Sequence, residues 1–154
     1  MNSNKIKISL AILIAGFFTF SAEPLTGQPA STNAPKEEFN EAEPDNYATL
    51  VRKIPHIKAS IKTARQMKAN DRHRAGKFEV IICGKVVKKL GNRPQVNNIV
   101  EKGQALSIRF SACGMSMNKF GIEKSDLAEG IQVIPNGIVR MFDLQEQGYY
   151  AVEL

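Results

Sequence analysis

From residue 47 onward the chain alternates short apolar runs with stretches of helical periodicity, and this alternation limits the possible folds more than any other feature. Five runs have the length and composition of strands, and four helical stretches separate them. The strands are predicted at 47–54, 77–84, 105–113, 131–137 and 149–154, and the helical stretches at 55–71, 85–103, 114–130 and 138–148. Strands joined by helical crossovers of this length form a parallel sheet. The pattern predicts an α/β protein, a three-layer α/β/α sandwich with a five-stranded parallel sheet.

The first helix and the second strand carry the clearest signals. Pro55 is suited to the first turn of a helix, and Ile57 and Ile61 behind it have the spacing of one apolar face. Val80, Ile81 and Ile82 are consecutive, which is typical of a strand buried on both faces. These signals support a sheet that is covered by helices on both sides.

The first 46 residues are predicted to lie outside this domain. Residues 1–22 have the layout of a secretory signal peptide, because two lysines precede an apolar run that is too short to span a bilayer. Residues 23–46 contain four prolines and six acids, which predicts a disordered acidic linker. We expect an exported, periplasmic protein with a folded domain at 47–154 and with no stable membrane insertion after removal of the leader.

The net charge of the chain is unevenly distributed. The total of +6 combines +2 in residues 1–22, −5 in residues 23–46 and +9 in residues 47–154. Export, and the lack of a recognition-helix, zinc-finger or aromatic-rich sheet motif, argue against a nucleic-acid partner for the basic domain. A solvated basic surface and an attraction to anionic ligands or lipid head groups both stay open as interpretations.

Three predicted strands end in residues of chemical interest, namely Cys83, Cys113 and Asn136. Ligands of open parallel sheets bind at the carboxyl ends of the strands, so these residues are expected at one edge of the sheet. Asn136 belongs to a Pro-Asn-Gly turn, and a ligand contact by its side chain stays open. We expect the sulfur of Cys113 to be reachable from outside at this edge.

The segment after Cys113 predicts an environment that favours a thiolate. Gly114 permits a tight turn, so the amides of Met115 and Ser116 are expected to point back at the sulfur. Amides at a helix start stabilise the anionic form and lower the pKa of a thiol. Met115 and Met117 are expected to form apolar walls, and Ser116 is expected to donate its hydroxyl. A thiolate in this setting attacks sulfane sulfur and holds it as a persulfide.

Other interpretations of the two cysteines stay open. Both are buried packing residues if the domain is a non-catalytic module that holds a small ligand, or they form a disulfide in an oxidising compartment. His56 and His73 lack the spacing of metal ligands, and no phosphate-binding loop or serine-nucleophile motif is present. We therefore expect no metal and no other cofactor.

The segments FEVIICGKVVKKL, ACGMSMNKFGI and IQVIPNGIVRMFDLQEQGYYAVEL resemble the DsrE/DsrF-like family of small sulfur-relay proteins, in particular its exported branch. The resemblance covers residues 47–154. It implies a DsrEFH-like α/β/α sandwich with strand order 4-3-2-1-5, assembled as a homo-oligomer, either a trimer or a hexamer. It also implies that Cys113 carries sulfur as a persulfide between a donor and an acceptor protein, with Cys83 nearby.

Overall fold

The computed structural model of the protein describes residues 43–70 and 73–154. The predicted signal peptide at 1–22 and residues 23–42 of the predicted linker lie outside the described residues. In the two described ranges, the longest apolar helices fall short of what a bilayer crossing requires.

Strands and helices alternate along the described chain, as the sequence pattern predicts. The strands are β1 (Asp45–Val51), β2 (Ala75–Ile82), β3 (Ile108–Cys113), β4 (Ile131–Ile134) and β5 (Tyr150–Glu153). The α-helices are α1 (Ile54–Lys68), α2 (Pro94–Gln104), α3 (Gly114–Phe120) and α4 (Gly137–Glu146). Two 3-10 helices, Gly84–Lys89 and Lys124–Asp126, complete the connections.

All five strands are parallel and lie in the order β4-β3-β2-β1-β5. This is the order that the family resemblance implies, and the predicted three-layer α/β/α architecture is confirmed. The carboxyl ends of β2 and β3 are adjacent, since Ile82 pairs with Ala112. The residue after each of these partners is a cysteine, so the register brings Cys83 and Cys113 side by side.

The bounds of the first strand differ from the prediction. β1 ends at Val51 and not at residue 54, because Pro55 occupies the first turn of α1 and the helix already begins at Ile54. β1 also begins at Asp45, so the last two residues of the predicted linker belong to the sheet. The predicted helical stretch 85–103 forms a 3-10 helix followed by α2, with the break near Gly91 that the sequence indicates.

Alternation along the strands divides the core between the two faces of the sheet. Val80, Ile82 and Phe110 belong to the larger apolar cluster, together with residues of α1 and α2. Ile81 and both cysteines belong to a smaller cluster on the other face, with Leu144 of α4. The cysteines therefore lie on the face that α4 covers.

Candidate functional site

The two cysteines lie directly beneath the first residue of α4. Each cysteine is a free thiol and only 4% exposed. A Cβ atom added to Gly137 would overlap Cys83 Sγ and would lie 3.4 Å from Cys113 Cβ. A glycine at the start of α4 is therefore what lets the helix approach both thiols closely.

The first three amides of α4 are shared between a side-chain cap and a sulfur atom. Asn136 is the N-cap, and its Oδ1 accepts from the amides of Ile138 at 2.9 Å and Val139 at 3.5 Å. The remaining amide, that of Gly137, donates to Cys113 Sγ over 3.3 Å. The sulfur thus lies at the N-terminus of a helix, where free amides and the helix dipole stabilise negative charge. Asn136, predicted as a turn residue, acts here as the helix cap.

Ser116 of α3 also affects the same sulfur. Its amide and its hydroxyl both lower the pKa of Cys113, although the Cys113 side chain does not cap α3 through a hydrogen bond. The Ser116 Oγ also accepts the amide of Gly84 at 2.8 Å. Because the oxygen accepts from Gly84, its proton stays available for the sulfur. Ser116 thus lowers the pKa of Cys113 as the sequence leads us to expect, but the direct hydrogen bond expected from its amide to the sulfur is not formed.

These contacts separate the acidities of the two thiols. Burial raises the pKa of Cys113, but the hydrogen bond from Gly137 and the neighbouring donor groups of Ser116 and Cys83 outweigh it, so the pKa lies below its ordinary value. Burial, the negative charge of Cys113 and the hydrogen bond given to Cys113 raise the pKa of Cys83 to about 12, against the opposing charge of Arg52. The arrangement favours a thiolate at Cys113 next to a neutral thiol at Cys83.

Two residues predicted to surround the sulfur have other contacts. The amide of Met115 donates to the carbonyl of Pro135 at 3.1 Å and not to the sulfur, because α3 begins against the end of β4. The Met115 side chain is 61% exposed, whereas that of Met117 is buried in the cluster on the opposite face of the sheet. The predicted pair of methionine walls is therefore wrong.

The glycine that makes the tight turn is Gly84 and not Gly114. Gly84 has a φ of 77°, in the region that favours glycine, whereas Gly114 does not have a positive φ. A Cβ at Gly114 would lie 3.1 Å from the carbonyl oxygen of Ile134. Gly114 therefore serves the close approach of α3 to the end of β4.

The expected access to Cys113 is not present in this arrangement. The first turn of α4 and the start of α3 cover the sulfur, and the residue is only 4% exposed. The sequence shows that Cys113 ends a strand, but it does not show how closely the next helices approach it. Cys113 is thus a donor-rich but enclosed thiol.

A buried ion pair that sequence reasoning missed fixes α4 to the sheet. Glu79 of β2 accepts from Arg140 Nη2 at 2.7 Å and from Ser111 Oγ at 2.7 Å, and its side chain is 4% exposed. Arg140 lies one turn after Gly137, so the pair helps to hold the Gly137 amide over Cys113. The sequence signal for this pair is the acid inside the apolar run FEVII, because a buried carboxylate needs a cationic or hydrogen-bonding partner. Gly137 itself was also missed, although a glycine directly after a capping residue at a strand end signals close approach.

The predicted site residues come together only in part. Cys83, Cys113, Ser116 and the backbone of Asn136 converge, whereas Gly114 packs against the end of β4 and the Met115 side chain is exposed. In the part of the chain that the structure describes, no three His, Cys, Asp or Glu side chains are grouped closely enough to hold a metal ion.

The chain is similar to a known family and to several solved structures. The model of the DsrE/DsrF-like family matches residues 45–154. The protein of unknown function MTH1491 from Methanobacterium thermoautotrophicum is 18% identical in sequence and has a TM-score of 0.62. The match covers 73% of this chain and 100% of MTH1491. The ychN protein from E. coli is 12% identical with a TM-score of 0.52, over 73% of this chain and 100% of the other.

A third structure, the conserved protein of unknown function BT1422 from Bacteroides thetaiotaomicron, is 18% identical with a TM-score of 0.54, over 71% of this chain and 95% of that one. At these identities the structures show the fold alone. No curated protein matches the chain. The family match covers the whole sheet and both cysteines, and the chain belongs to the DsrE/DsrF-like family.

Proposed function

We propose that this protein handles sulfur, with Cys113 as the nucleophile that accepts a sulfane sulfur and carries it as a persulfide. The observation that carries the proposal is the hydrogen bond from the first amide of α4, that of Gly137, to the Cys113 sulfur at 3.3 Å. The amide and hydroxyl of Ser116 lower the pKa of the same thiol further. Donors aimed at a sulfur favour the thiolate, which is the nucleophilic form. Membership of the DsrE/DsrF-like family supports a role related to sulfur relay.

The proposed transfer is balanced without a redox cofactor. The Cys113 thiolate attacks the outer sulfur of a donor R–S–SH, a new sulfur–sulfur bond forms at Sγ, and the bond to R–S breaks. The electron pair leaves on R–S⁻, and the protein holds Cys–S–SH. An acceptor thiolate then attacks the outer sulfur and releases the Cys113 thiolate again.

Cys83 is proposed as the thiol that modulates this sulfur. It lies against Gly137, and its thiol lowers the pKa of Cys113. Since burial and the neighbouring charge keep Cys83 protonated, it acts as a donor and not as a second nucleophile at neutral pH. In the persulfide state the same S–H group is proposed to donate to the added sulfur, whereas a resolving role for Cys83 would first require the loss of its proton.

The test is the loading of the full-length protein with a sulfane donor, followed by intact mass measurement before and after reduction. We expect the mass to increase by one sulfur atom, and the increase to disappear on reduction. Cys113→Ser should not gain sulfur, whereas the matched variant Cys83→Ser should. No gain in the wild type, or a gain that survives Cys113→Ser, contradicts the proposal.

A non-catalytic ligand-binding module is the second candidate, and the 4% exposure of Cys113 favours it. In that case both cysteines pack the interface between α4 and the sheet. Cys113→Ala that leaves every ligand interaction intact would support the module. A Cys83/Cys113 thiol–disulfide couple is a third candidate, and thiol counting with and without reductant separates it from a carrier that keeps two free thiols.

We further propose that the protein is exported to the periplasm and assembles as a homo-oligomer, a trimer or a hexamer, that meets a sulfur donor or acceptor protein. Self-association is supported by exposed apolar side chains on α4 and on the edge strand β5. These are Ile138, Val139, Phe142, Tyr150 and Val152. Light scattering on the secreted protein tests the assembly, and cell fractionation tests the location.

A further inference from the structure

A basic cavity lies at the carboxyl ends of β1 and β2, between the start of α1 and the 3-10 helix Gly84–Lys89. Its volume is about 520 Å³, within the usual range for a small-molecule site. Its charged lining is entirely cationic, and the rest of the lining is apolar. The cations are Arg52, Lys53, Lys85, Lys88 and Lys89.

Most of this positive charge has no neutralising partner. Arg52 Nε pairs with Glu153 Oε1 at 2.7 Å. Over residues 43–70 and 73–154, none of the four lysines forms an ion pair. Like charges around one concave surface repel one another, and a bound anion relieves this repulsion. The cavity therefore has the electrostatics of a site for an anion with more than one charge.

The cavity and the thiol site share the carboxyl edge of the sheet, although neither cysteine lines the cavity. One wall is the 3-10 helix that begins directly after Cys83. The amide of Cys83 donates to the carbonyl of Val51 at 2.9 Å. The first residue of this 3-10 helix, Gly84, donates to Ser116 Oγ at 2.8 Å, and this hydroxyl lowers the pKa of Cys113. Arg52, on the opposite wall, interacts electrostatically with both cysteines. An anion held in the cavity thus lies at the same sheet edge as Cys113.

We propose that this basic cavity binds small anionic sulfane-sulfur donors and concentrates them beside Cys113. The inference rests on the proposed function, since it names the class of donor that Cys113 would use. Because only 4% of Cys113 is exposed, a small sulfur donor reaches it more easily than a donor group carried on the surface of another protein. Clefts lined by one sign of charge increase the local concentration and the encounter rate of the opposite ion.

With thiosulfate as the donor, the step is balanced as follows. The Cys113 thiolate attacks the outer sulfur of thiosulfate, the sulfur–sulfur bond of the donor breaks, and sulfite leaves with the electron pair. The protein keeps Cys–S–S⁻, and no oxidant or reductant is consumed. A low-molecular-mass persulfide that carries carboxylates, such as glutathione persulfide, transfers its outer sulfur in the same way and releases the thiolate.

The experiment uses a triple variant of the full-length protein, Lys85→Gln with Lys88→Gln and Lys89→Gln. The control is Lys58→Gln with Lys62→Gln, two exposed lysines of α1 outside the cavity. The rate of sulfur loading is measured at low donor concentration with thiosulfate and, in a separate arm, with glutathione persulfide. We expect the triple variant to load at least about 10-fold more slowly with one or both donors, and the control to stay within about 2-fold of wild type.

A binding measurement tests anion binding by the cavity independently of sulfur transfer to Cys113. Thiosulfate is titrated into Cys113→Ser, which cannot react, and into Cys113→Ser carrying the triple substitution. Saturable binding that the triple substitution removes supports the cavity, even if the wild type never gains sulfur and the proposed function fails. Equal loading rates in the triple variant and the control, or thiosulfate binding that the triple substitution leaves intact, overturns the inference.

Discussion

The amide of Gly137, the first residue of α4, donates to the sulfur of Cys113 over 3.3 Å. The Asn136 side chain caps the next two amides of the helix, so the sulfur receives the one that the cap leaves free. This relationship between Gly137 and Cys113 links the strand order, the close packing of α4 and the proposed chemistry.

Gly137→Ala places a methyl group against Cys83 Sγ, so the start of α4 must move away from the sheet. We expect a loss of about 1–3 kcal/mol in the free energy of unfolding and a higher pKa at Cys113, since its amide donor is displaced. Urea melts measure the first effect and thiolate titration the second. In a Cys83→Ala background the same substitution should cost less, because the overlapping sulfur is absent; an unchanged cost contradicts this account.

Ser116→Ala removes the hydroxyl that lies between Gly84 and Cys113. The Gly84 amide loses its acceptor, so we expect a destabilisation of about 1–2 kcal/mol and a rise in the pKa of Cys113. The loading of sulfur near neutral pH should slow in proportion to the lost thiolate. Ser125→Ala, at an exposed position of the second 3-10 helix, is the control and should change neither quantity.

Arg140→Met breaks the buried pair with Glu79, and Arg52→Met breaks the exposed pair with Glu153. The first change leaves a carboxylate that is 4% exposed with Arg109 at 3.9 Å as its remaining cation, so we expect a loss of about 3 kcal/mol. The second should cost less than about 1 kcal/mol, since water solvates both partners. Thermal or urea unfolding of the two variants measures the difference. Equal losses would mean that the pair between Glu79 and Arg140 does not hold α4 on the sheet.

The raised pKa of Cys83 makes the protein less stable at high pH. Since the unfolded chain releases the Cys83 proton more easily than the folded protein, the stabilisation is complete below about pH 9 and is lost as pH rises towards 12. Cys113 acts in the opposite sense, because its pKa is lowered on folding. We expect Cys83→Ala to show a shallower loss of stability than wild type between these pH values. Parallel curves for the two proteins would mean that Cys83 titrates as an ordinary thiol.

The fold was predictable because each layer leaves a local signal. The consecutive residues Val80, Ile81 and Ile82 indicate a strand covered on both faces, and Pro55 marks the start of α1 to within a residue. Cys83 and Cys113 were predictable as neighbours once the strand order was inferred, since they follow paired residues of adjacent strands.

The details of the site depend on helix placement, which no local pattern encodes. The amide predicted from Met115 comes instead from Gly137, a residue 24 positions from Cys113 in sequence. The burial of Cys113 has the same origin, because the helix that supplies the donor also covers the sulfur. The Glu79–Arg140 pair joins residues 61 apart and becomes visible only when α4 lies on the sheet.

Thiolate absorbance against pH, in variants that retain one cysteine each, tests the central claim most directly. Cys83→Ala reports Cys113, Cys113→Ala reports Cys83, and the variant lacking both corrects for the tyrosines. We predict that Cys113 ionises below the ordinary pKa of a thiol. Cys83 should ionise above it because the residue is buried, although less far above it than in the wild type, since Cys113→Ala removes the neighbouring charge. Ionisation of Cys113 at or above the ordinary thiol pKa would contradict the account.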